Sequence, residues 1–143
     1  MVFSIDLCTL ASTYNTFYAE KIITTSNAPV PIGPYNQAVF AGDTLYISGQ
    51  IPIDPATGEL NNATLQDETH QCMKNLQAIL EEAGLSFANV IKSTIFITDM
   101  KRFAEINEVY GQYFTENYPA RETVQVAALP KFVNVEISVI AVK

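Results

Sequence analysis

The C-terminal segment 133–142 constrains the fold most, because its apolar residues do not keep to one side. Alternate positions hold Val133, Val135, Ile137, Val139 and Ala141, and the positions between them hold Asn134, Glu136, Ser138, Ile140 and Val142. Successive side chains of a strand point to opposite faces of its sheet, so both faces of this strand are expected to be at least partly buried. A subunit interface on the open face of the sheet is the simplest explanation.

The earlier segments alternate between strand and helix patterns. The predicted strands are Lys21–Thr25, Asn36–Phe40, Thr44–Ser48, Val90–Thr98, Glu122–Leu129 and Val133–Val142. A capping-box-like Thr64–Asp67 precedes a helical pattern that runs to Ala83, and Asp99 precedes another that runs to Phe114. The order β-β-β-α-β-α-β-β predicts an α+β fold with two helices on one face of a sheet.

Length and charge limit the class of protein. A chain of 143 residues with 48% hydrophobic residues is expected to form one globular domain. The net charge is −7 and the eight basic residues are dispersed, which disfavours binding to nucleic acid. No apolar run approaches the roughly 20 residues that a membrane span needs, so no membrane partner is expected.

The two cysteines, Cys8 and Cys72, are too few and too far apart for a disulfide framework or a CxxC metal site. A reduced, intracellular compartment fits best, with the cytoplasm as the prediction and the mitochondrion as the alternative. Cys72 is interpreted as a small buried hydrophobe. His70 lies two residues from Cys72 on the predicted helix, where the two side chains diverge, so neither a Cys/His pair nor a metal site is expected.

Residues 1–20 are interpreted as an N-terminal extension of uncertain role, and residues 21–143 as a single domain. The extension contains no Lys or Arg and includes Asp6. This argues against both a secretory signal and an Arg-rich transit peptide.

Arg121 is the first candidate site residue. It follows Tyr118-Pro119-Ala120, where a predicted helix passes directly into a strand, so its guanidinium is expected on rigid backbone. The planar donor fork of a guanidinium matches a carboxylate or a phosphate. The alternative is a surface ion pair with Glu116 or Glu122.

Glu136 is the second candidate, because a carboxylate in the middle of an apolar strand is costly unless it is exposed, paired or hydrogen-bonded. Its alternative is a solvated glutamate on an open face. Tyr35 and Gly49 lie where polar groups could converge with backbone amides, but each is a weak indication alone. The sequence has no GxGxxG, Walker, HExxH or GxSxG motif.

Several separated motifs together strongly resemble the RidA family of reactive intermediate deaminases, also called YjgF or L-PSP. The motifs are Gly33-Pro34-Tyr35-Asn36-Gln37-Ala38, Ser48-Gly49-Gln50-Ile51-Pro52, Val90-Ile91-Lys92-Ser93-Thr94, Pro119-Ala120-Arg121 and Val135-Glu136-Ile137. The resemblance runs from about Lys21 to Lys143 in the family's order and spacing.

The resemblance implies a chorismate-mutase-like α+β fold that assembles as a homotrimer, with sites between subunits. It also implies a hydrolase of the 2-iminobutanoate/2-iminopropanoate deaminase type. Such an enzyme converts reactive 2-enamine and 2-imine acids, such as 2-aminoacrylate, to 2-keto acids and ammonia without a cofactor or metal. Small 2-imino and 2-keto carboxylates are the implied partners.

The resemblance also implies residue roles. Arg121 would bind the substrate carboxylate, Glu136 would position or deprotonate the attacking water, and Tyr35 would shape the pocket. Gly49 and Asn107 match positions that line or support the cleft. Ribonuclease or translation inhibitor activity, and a non-enzymatic metabolite-binding or chaperone-like trimer, remain the alternatives.

Three residues depart from the family pattern. Glu122 stands where many members have Ser, Thr123 where Cys is frequent, and Ser138 where a second Glu is frequent. Thr123 puts a cysteine-centred redox role in doubt. Glu122 is expected to point away from Arg121, because adjacent residues of a strand face opposite sides.

Overall fold

The computed structural model describes residues 21–143. The expectations for residues 1–20 and for Cys8 lie outside the described residues. The strands are β1 (Lys21–Ile23), β2 (Ala38–Ala41), β3 (Thr44–Gln50), β4 (Val90–Ile97), β5 (Ala120–Gln125) and β6 (Val135–Val142), and the helices are α1 (Leu65–Glu82) and α2 (Phe103–Tyr110). The predicted order of elements is therefore confirmed.

The six strands form one mixed sheet in the order β1-β2-β3-β6-β4-β5. All neighbouring pairs are antiparallel except β4 and β5, which run parallel. The connection from β4 to β5 contains α2, as a crossover between parallel strands requires. The strand β6 lies inside the sheet, and β5 forms one of its edges.

The first helix begins where the sequence predicts. The Thr64 hydroxyl accepts from the Asp67 backbone N–H at 3.0 Å and donates to the Asp67 carboxylate at 2.7 Å. This caps the helix, although Asp67 does not reach back to the Thr64 amide as in a full capping box. Gly84 has a φ of +74° just beyond the helix, where a left-handed residue ends it without a Cβ clash.

The core lies between the helices and one face of the sheet. The β6 residues on this face are Val135, Ile137, Val139 and Ala141, each at most 2% exposed. They pack in one cluster with apolar α1 residues such as Leu76 and Ile79. Cys72 belongs to this cluster, and its Sγ donates to the Val135 carbonyl, which confirms that it is a buried hydrophobe.

The other face of β6 is only half-buried, because no helix of residues 21–143 covers it. A cross-strand row of apolar residues runs over this open face through the paired residues Ile22, Val39, Tyr46 and Ile140. Ile22 and Tyr46 are 55% and 51% exposed. The expectation that both faces of β6 are at least partly buried is confirmed, with the helix face fully buried and the other face of intermediate exposure.

Several predicted bounds were wrong. The strand predicted as Glu122–Leu129 spans Ala120–Gln125, because its pairing with β4 begins at Lys92 and ends at Ile97. The second helix ends as an α-helix at Tyr110 rather than near Phe114, and a 3-10 turn continues it to Tyr113. Asp99 caps a separate 3-10 turn, Met100–Arg102, through the Lys101 backbone N–H.

Candidate functional site

Arg121 lies on the helix side of the sheet. It pairs with Ser93 of β4, a fully buried residue whose hydroxyl accepts a hydrogen bond from the Tyr110 hydroxyl of α2 at 2.8 Å. The guanidinium carbon stands 4.9 Å from the centroid of the Tyr110 ring and 5.3 Å from that of Phe103. Cation–π contacts of this kind hold a guanidinium against a fixed surface.

Asn107 fixes the other side of Arg121. The Arg121 Nη1 donates to the Asn107 Oδ1 at 2.8 Å. The rest of the donor fork faces an open cleft of about 530 Å³, and Arg121 itself is exposed. The lining residues are Asn107, Tyr110, Gly111, Tyr118, Pro119 and Arg121. The arrangement presents a positioned, solvent-accessible cation that can bind a carboxylate.

Glu122 does not neutralise Arg121. Its side chain lies on the opposite face of β5, where it pairs with the Lys92 ammonium at 3.0 Å and accepts from the Thr94 hydroxyl at 3.3 Å. The hydrogen bond from Lys92 lowers the pKa of this exposed carboxyl. Within residues 21–143 no carboxylate lies at ion-pair distance from Arg121, so the alternative of an ion pair with Glu116 or Glu122 is not found.

Glu136 occupies a second cleft, on the open face of the sheet. Its strand neighbours Val135 and Ile137 turn into the core, so Glu136 points the other way and is half-buried. Burial raises the pKa of its carboxyl, because the charged form loses solvation. The cleft measures about 300 Å³ and is lined by Ile32, Tyr35, Ser48, Gly49, Ile51, Pro130 and Glu136.

Gly49 makes room for the Glu136 carboxylate. A Cβ at position 49 would stand 2.8 Å from the Glu136 Cδ and would overlap one carboxylate oxygen. Real Cβ atoms do not approach that closely, so one of the two groups would have to move. The absence of a side chain at Gly49 therefore allows the observed placement of Glu136.

Tyr35 lines the same cleft and is 45% exposed. Its hydroxyl accepts a hydrogen bond from the Ile32 backbone N–H at 3.2 Å. Within the described chain, the Tyr35 hydroxyl therefore binds the backbone of the loop to which Tyr35 itself belongs.

The two groups of candidates face opposite sides of the sheet. Arg121 pairs with Ser93, whereas Glu136 pairs with Phe96, three residues further along β4. An odd separation along a regular strand places two residues on opposite faces. The fold thus brings Arg121 together with Asn107, and Glu136 with Tyr35 and Gly49, but it does not bring the two groups together within one chain.

Sequence reasoning missed the aromatic support of Arg121. Phe103 and Tyr110 have the spacing of one face of an amphipathic helix, where a core residue and a stacking residue follow the same pattern. Thr123, two residues after Arg121 and on the same face, has a buried hydroxyl without a hydrogen-bond partner among the described residues. No pattern in the sequence distinguishes it from an ordinary strand threonine.

His70 and Cys72 do not form a catalytic pair. The His70 Nδ1 lies 2.9 Å from the Tyr113 hydroxyl, while Cys72 is fully buried with a raised thiol pKa caused mainly by desolvation. Residues 21–143 contain no group of three or more His, Cys, Asp or Glu side chains that could hold a metal ion. In the same part of the chain, no helix is long and apolar enough to cross a membrane.

Comparisons with known proteins place this chain in one family. Residues 25–143 match the family described as Endoribonuclease L-PSP. A RutC family protein of Pyrococcus horikoshii is 53% identical over 124 residues, which are 87% of this chain and 98% of the relative. The human 2-iminobutanoate/2-iminopropanoate deaminase is 46% identical over 124 residues, which are 87% of this chain and 90% of the relative.

Solved structures give the same result. E. coli TdcF with bound serine superposes with a TM-score of 0.83 at 51% identity, covering 86% of this chain and 98% of that chain. RidA from an Antarctic Psychrobacter superposes with a TM-score of 0.83 at 45% identity, covering 86% and 99%. The chain belongs to the L-PSP family, which includes the RidA and YjgF proteins, and the resemblance drawn from its motifs is confirmed.

Proposed function

We propose that this protein is a hydrolytic deaminase of reactive 2-imino and 2-enamino acids, which it converts to 2-keto acids and ammonia. The observation that carries the proposal is Arg121, an exposed guanidinium held by Asn107 and two aromatic rings with no carboxylate of the described chain against it. A carboxylate ligand would complete its donor fork. The curated names of the human and bovine relatives favour an imino acid over other carboxylates.

Arg121 binds the substrate carboxylate in this proposal. Its contacts with Asn107, Phe103 and Tyr110 fix the plane of the guanidinium before substrate arrives, so little side-chain freedom is lost on binding. Neutralising the carboxylate also makes the neighbouring C2 carbon more electrophilic toward water. The serine bound to E. coli TdcF shows that a family member accepts a small molecule with a carboxylate.

Glu136 is the proposed general base. Its pKa is raised by burial, which brings a carboxyl closer to the range useful for proton transfer near neutral pH. It would orient a water molecule and accept its proton as the water oxygen attacks C2 of the imine. As the C=N π bond breaks, the nitrogen takes the proton that Glu136 accepted from water. The hydroxyl proton of the tetrahedral adduct then passes to the nitrogen, the C–N bond breaks, and ammonia leaves as the carbonyl of the 2-keto acid forms.

A complete site in this proposal needs a second copy of the chain. Arg121 and Glu136 project from opposite faces of one sheet, so one chain supplies the carboxylate-binding half and its neighbour the water-positioning half. The apolar row Ile22, Val39, Tyr46 and Ile140 on the open face offers the surface for association. We propose a homotrimer with three such sites, as the resemblance to the RidA family implies, in which head-to-tail contacts close a ring by repeating one heterologous interface.

A coupled assay tests the proposal. A pyridoxal-phosphate-dependent threonine dehydratase releases 2-iminobutanoate, and the purified protein should accelerate the appearance of 2-ketobutanoate. Arg121→Ala should abolish the acceleration, because it removes the carboxylate contact. Arg102→Ala is the matched control, since Arg102 is a partly exposed arginine already paired with Glu105 at 2.7 Å.

Three outcomes would count against the proposal. Unchanged rates with the wild-type protein would refute deaminase activity. Equal loss with Arg102→Ala and Arg121→Ala would refute the role of Arg121. Binding of 2-ketobutanoate without any turnover of the imine would support a metabolite-binding protein instead.

A further inference from the structure

The segment 24–37, which connects β1 to β2, carries two residues that line the Glu136 cleft. Ile32 and Tyr35 line that cleft, yet residues 24–37 contain no helix or strand. Pro29, Pro31 and Pro34 lack the backbone N–H that regular structure would use. The positions of Ile32 and Tyr35 therefore depend on the contacts that hold this segment to the sheet.

The side chain of Gln37 holds it. Gln37 immediately precedes β2 and is 2% exposed. Its Oε1 accepts from the Thr25 backbone N–H at 2.7 Å, and its Nε2 lies 3.0 Å from the Thr25 carbonyl oxygen. The same Nε2 lies 2.9 Å from the carbonyl oxygen of Pro29 and 3.2 Å from that of Ala28. One carboxamide thus contacts four backbone groups at the start of the segment, with its two N–H donors shared among three carbonyl oxygens.

Other hydrogen bonds of residues 25–34 within the described chain stay local. The Asn27 amide donates to the Thr25 hydroxyl, the Ile32 amide to the Tyr35 hydroxyl, and the Tyr35 amide to the Gly33 carbonyl. The buried methyl group of Ala28, which is 1% exposed, is a second anchor and lies beside a carbonyl that Gln37 binds. Gln37 is therefore the hydrogen-bonded link between this segment and the sheet.

The sheet in turn fixes Gln37. Its carbonyl accepts from the Ser48 backbone N–H at 3.0 Å, and the Ser48 hydroxyl donates to the Asn36 carbonyl at 2.6 Å. Ser48 lies on β3 next to Gly49, the residue that makes room for Glu136. The backbone of Gln37 is thus bonded to β3, on the Glu136 side of the cleft. Its side chain is bonded to the segment that carries Ile32 and Tyr35, on the other side.

We propose that Gln37 is a positioning residue for the Glu136 cleft, in which its carboxamide sets the distance between the wall formed by Ile32 and Tyr35 and the Glu136 carboxylate. It acts through the segment 25–35 and does not touch substrate. The inference rests on the proposed function in one respect, because it assigns kinetic consequences to the width of that cleft.

Amide hydrogen exchange on the purified full-length protein tests the link directly. Gln37→Met removes all four hydrogen bonds at nearly constant volume, and Gln37→Glu keeps an acceptor but turns a second oxygen toward three carbonyls. Each variant should speed exchange at Thr25, Asn27, Ile32 and Tyr35 by about tenfold or more, since each lost bond corresponds to about a tenfold change. Amides in β4 and β6 should keep the wild-type rates.

Ile97→Ala is the control for general loss of stability. Ile97 is 1% exposed and lies on β4, which β3 and β6 separate from β2. Its substitution should leave the relative protection of residues 25–35 unchanged. Unchanged exchange in both Gln37 variants, or equal opening in Ile97→Ala, would overturn the proposal.

Steady-state kinetics test the consequence for the cleft. Both Gln37 variants should raise KM for the imino acid by about tenfold with kcat within about twofold, because a binding wall moves while Glu136 stays on its strand. An opened segment with wild-type KM would overturn the positioning role. The exchange experiment needs no turnover, so wild-type protein without deaminase activity would refute the proposed function and leave the Gln37 link to be decided by exchange alone.

Discussion

The Glu136 carboxylate fills the space that a side chain at Gly49 would occupy. The two residues lie on neighbouring antiparallel strands, where Gln50 pairs with Ile137 and the register shifts between Ile47 and Gln50. This irregularity brings the Gly49 backbone against the Glu136 side chain. The place of the Glu136 carboxylate on β6 thus depends on the absence of a side chain at Gly49 on β3.

Gly49→Ala should remove most of the proposed deaminase activity while leaving the protein folded. The new Cβ would stand 2.8 Å from the Glu136 Cδ, so the carboxylate must leave its place. We expect kcat to fall by about 100-fold or more, which is the usual contribution of a general base. The double variant Gly49→Ala with Glu136→Gln should be no slower than Glu136→Gln alone. Additive losses would show that Gly49 acts independently of Glu136.

The pH dependence of kcat should reflect the ionisation of Glu136. A general base works when ionised, so kcat should fall as pH decreases through the pKa of Glu136, which burial raises above the ordinary value of a glutamate. The descending limb is therefore expected at higher pH than for an exposed glutamate. Glu136→Gln should remove this limb as well as lower the rate. An unchanged limb in that variant would assign the titration to another group.

The same raised pKa has a consequence for stability. A carboxyl whose pKa is higher in the folded state favours folding when protonated, and that contribution is lost as pH rises through the folded-state pKa. Glu136→Gln should therefore increase the free energy of unfolding at neutral pH and change it little in acid. Denaturant titrations at both pH values measure the difference. A variant that is less stable than wild type at neutral pH would contradict the desolvation of Glu136.

Thr123→Val should stabilise the chain. The Thr123 hydroxyl is buried without a partner among the described residues, and replacing it by a methyl group removes an unsatisfied polar atom at constant shape. We expect a gain of roughly 1 kcal/mol in the free energy of unfolding. Thr69→Val is the matched control and should lose stability, because the Thr69 hydroxyl donates to the Leu65 carbonyl at 2.7 Å. Similar losses in both variants would show that another chain supplies a partner to Thr123.

Local patterns in the sequence predicted the elements but not all of their ends. The first helix follows from Thr64 and Gly84, whose roles depend only on neighbouring residues. The bounds of β5 could not be predicted, because they are set by the ends of β4, a strand distant in sequence. Strand pairing therefore includes Arg121 in β5, whereas the residue propensities predicted a strand that begins just after it.

The candidate site was predicted in part for the same reason. Alternation along a strand predicted that Glu122 points away from Arg121, and the structure shows it paired with Lys92. The stacking of Arg121 on Phe103 and Tyr110 depends on how α2 crosses β5, which no local pattern encodes. The roles of Arg121, Glu136, Tyr35, Gly49 and Asn107 remain predictions until they are measured.

Mixing two impaired variants tests whether the site is shared between chains. If Arg121 of one chain works with Glu136 of its neighbour, Arg121→Ala and Glu136→Gln refolded together at equal amounts should recover about a quarter of wild-type activity, because random assembly pairs two intact halves in about one site in four. Wild type refolded with the double variant should also retain about a quarter. A site formed within one chain gives no recovery in the first mixture and about half the activity in the second. The pair of measurements therefore decides between the two arrangements, whichever substrate the assay uses.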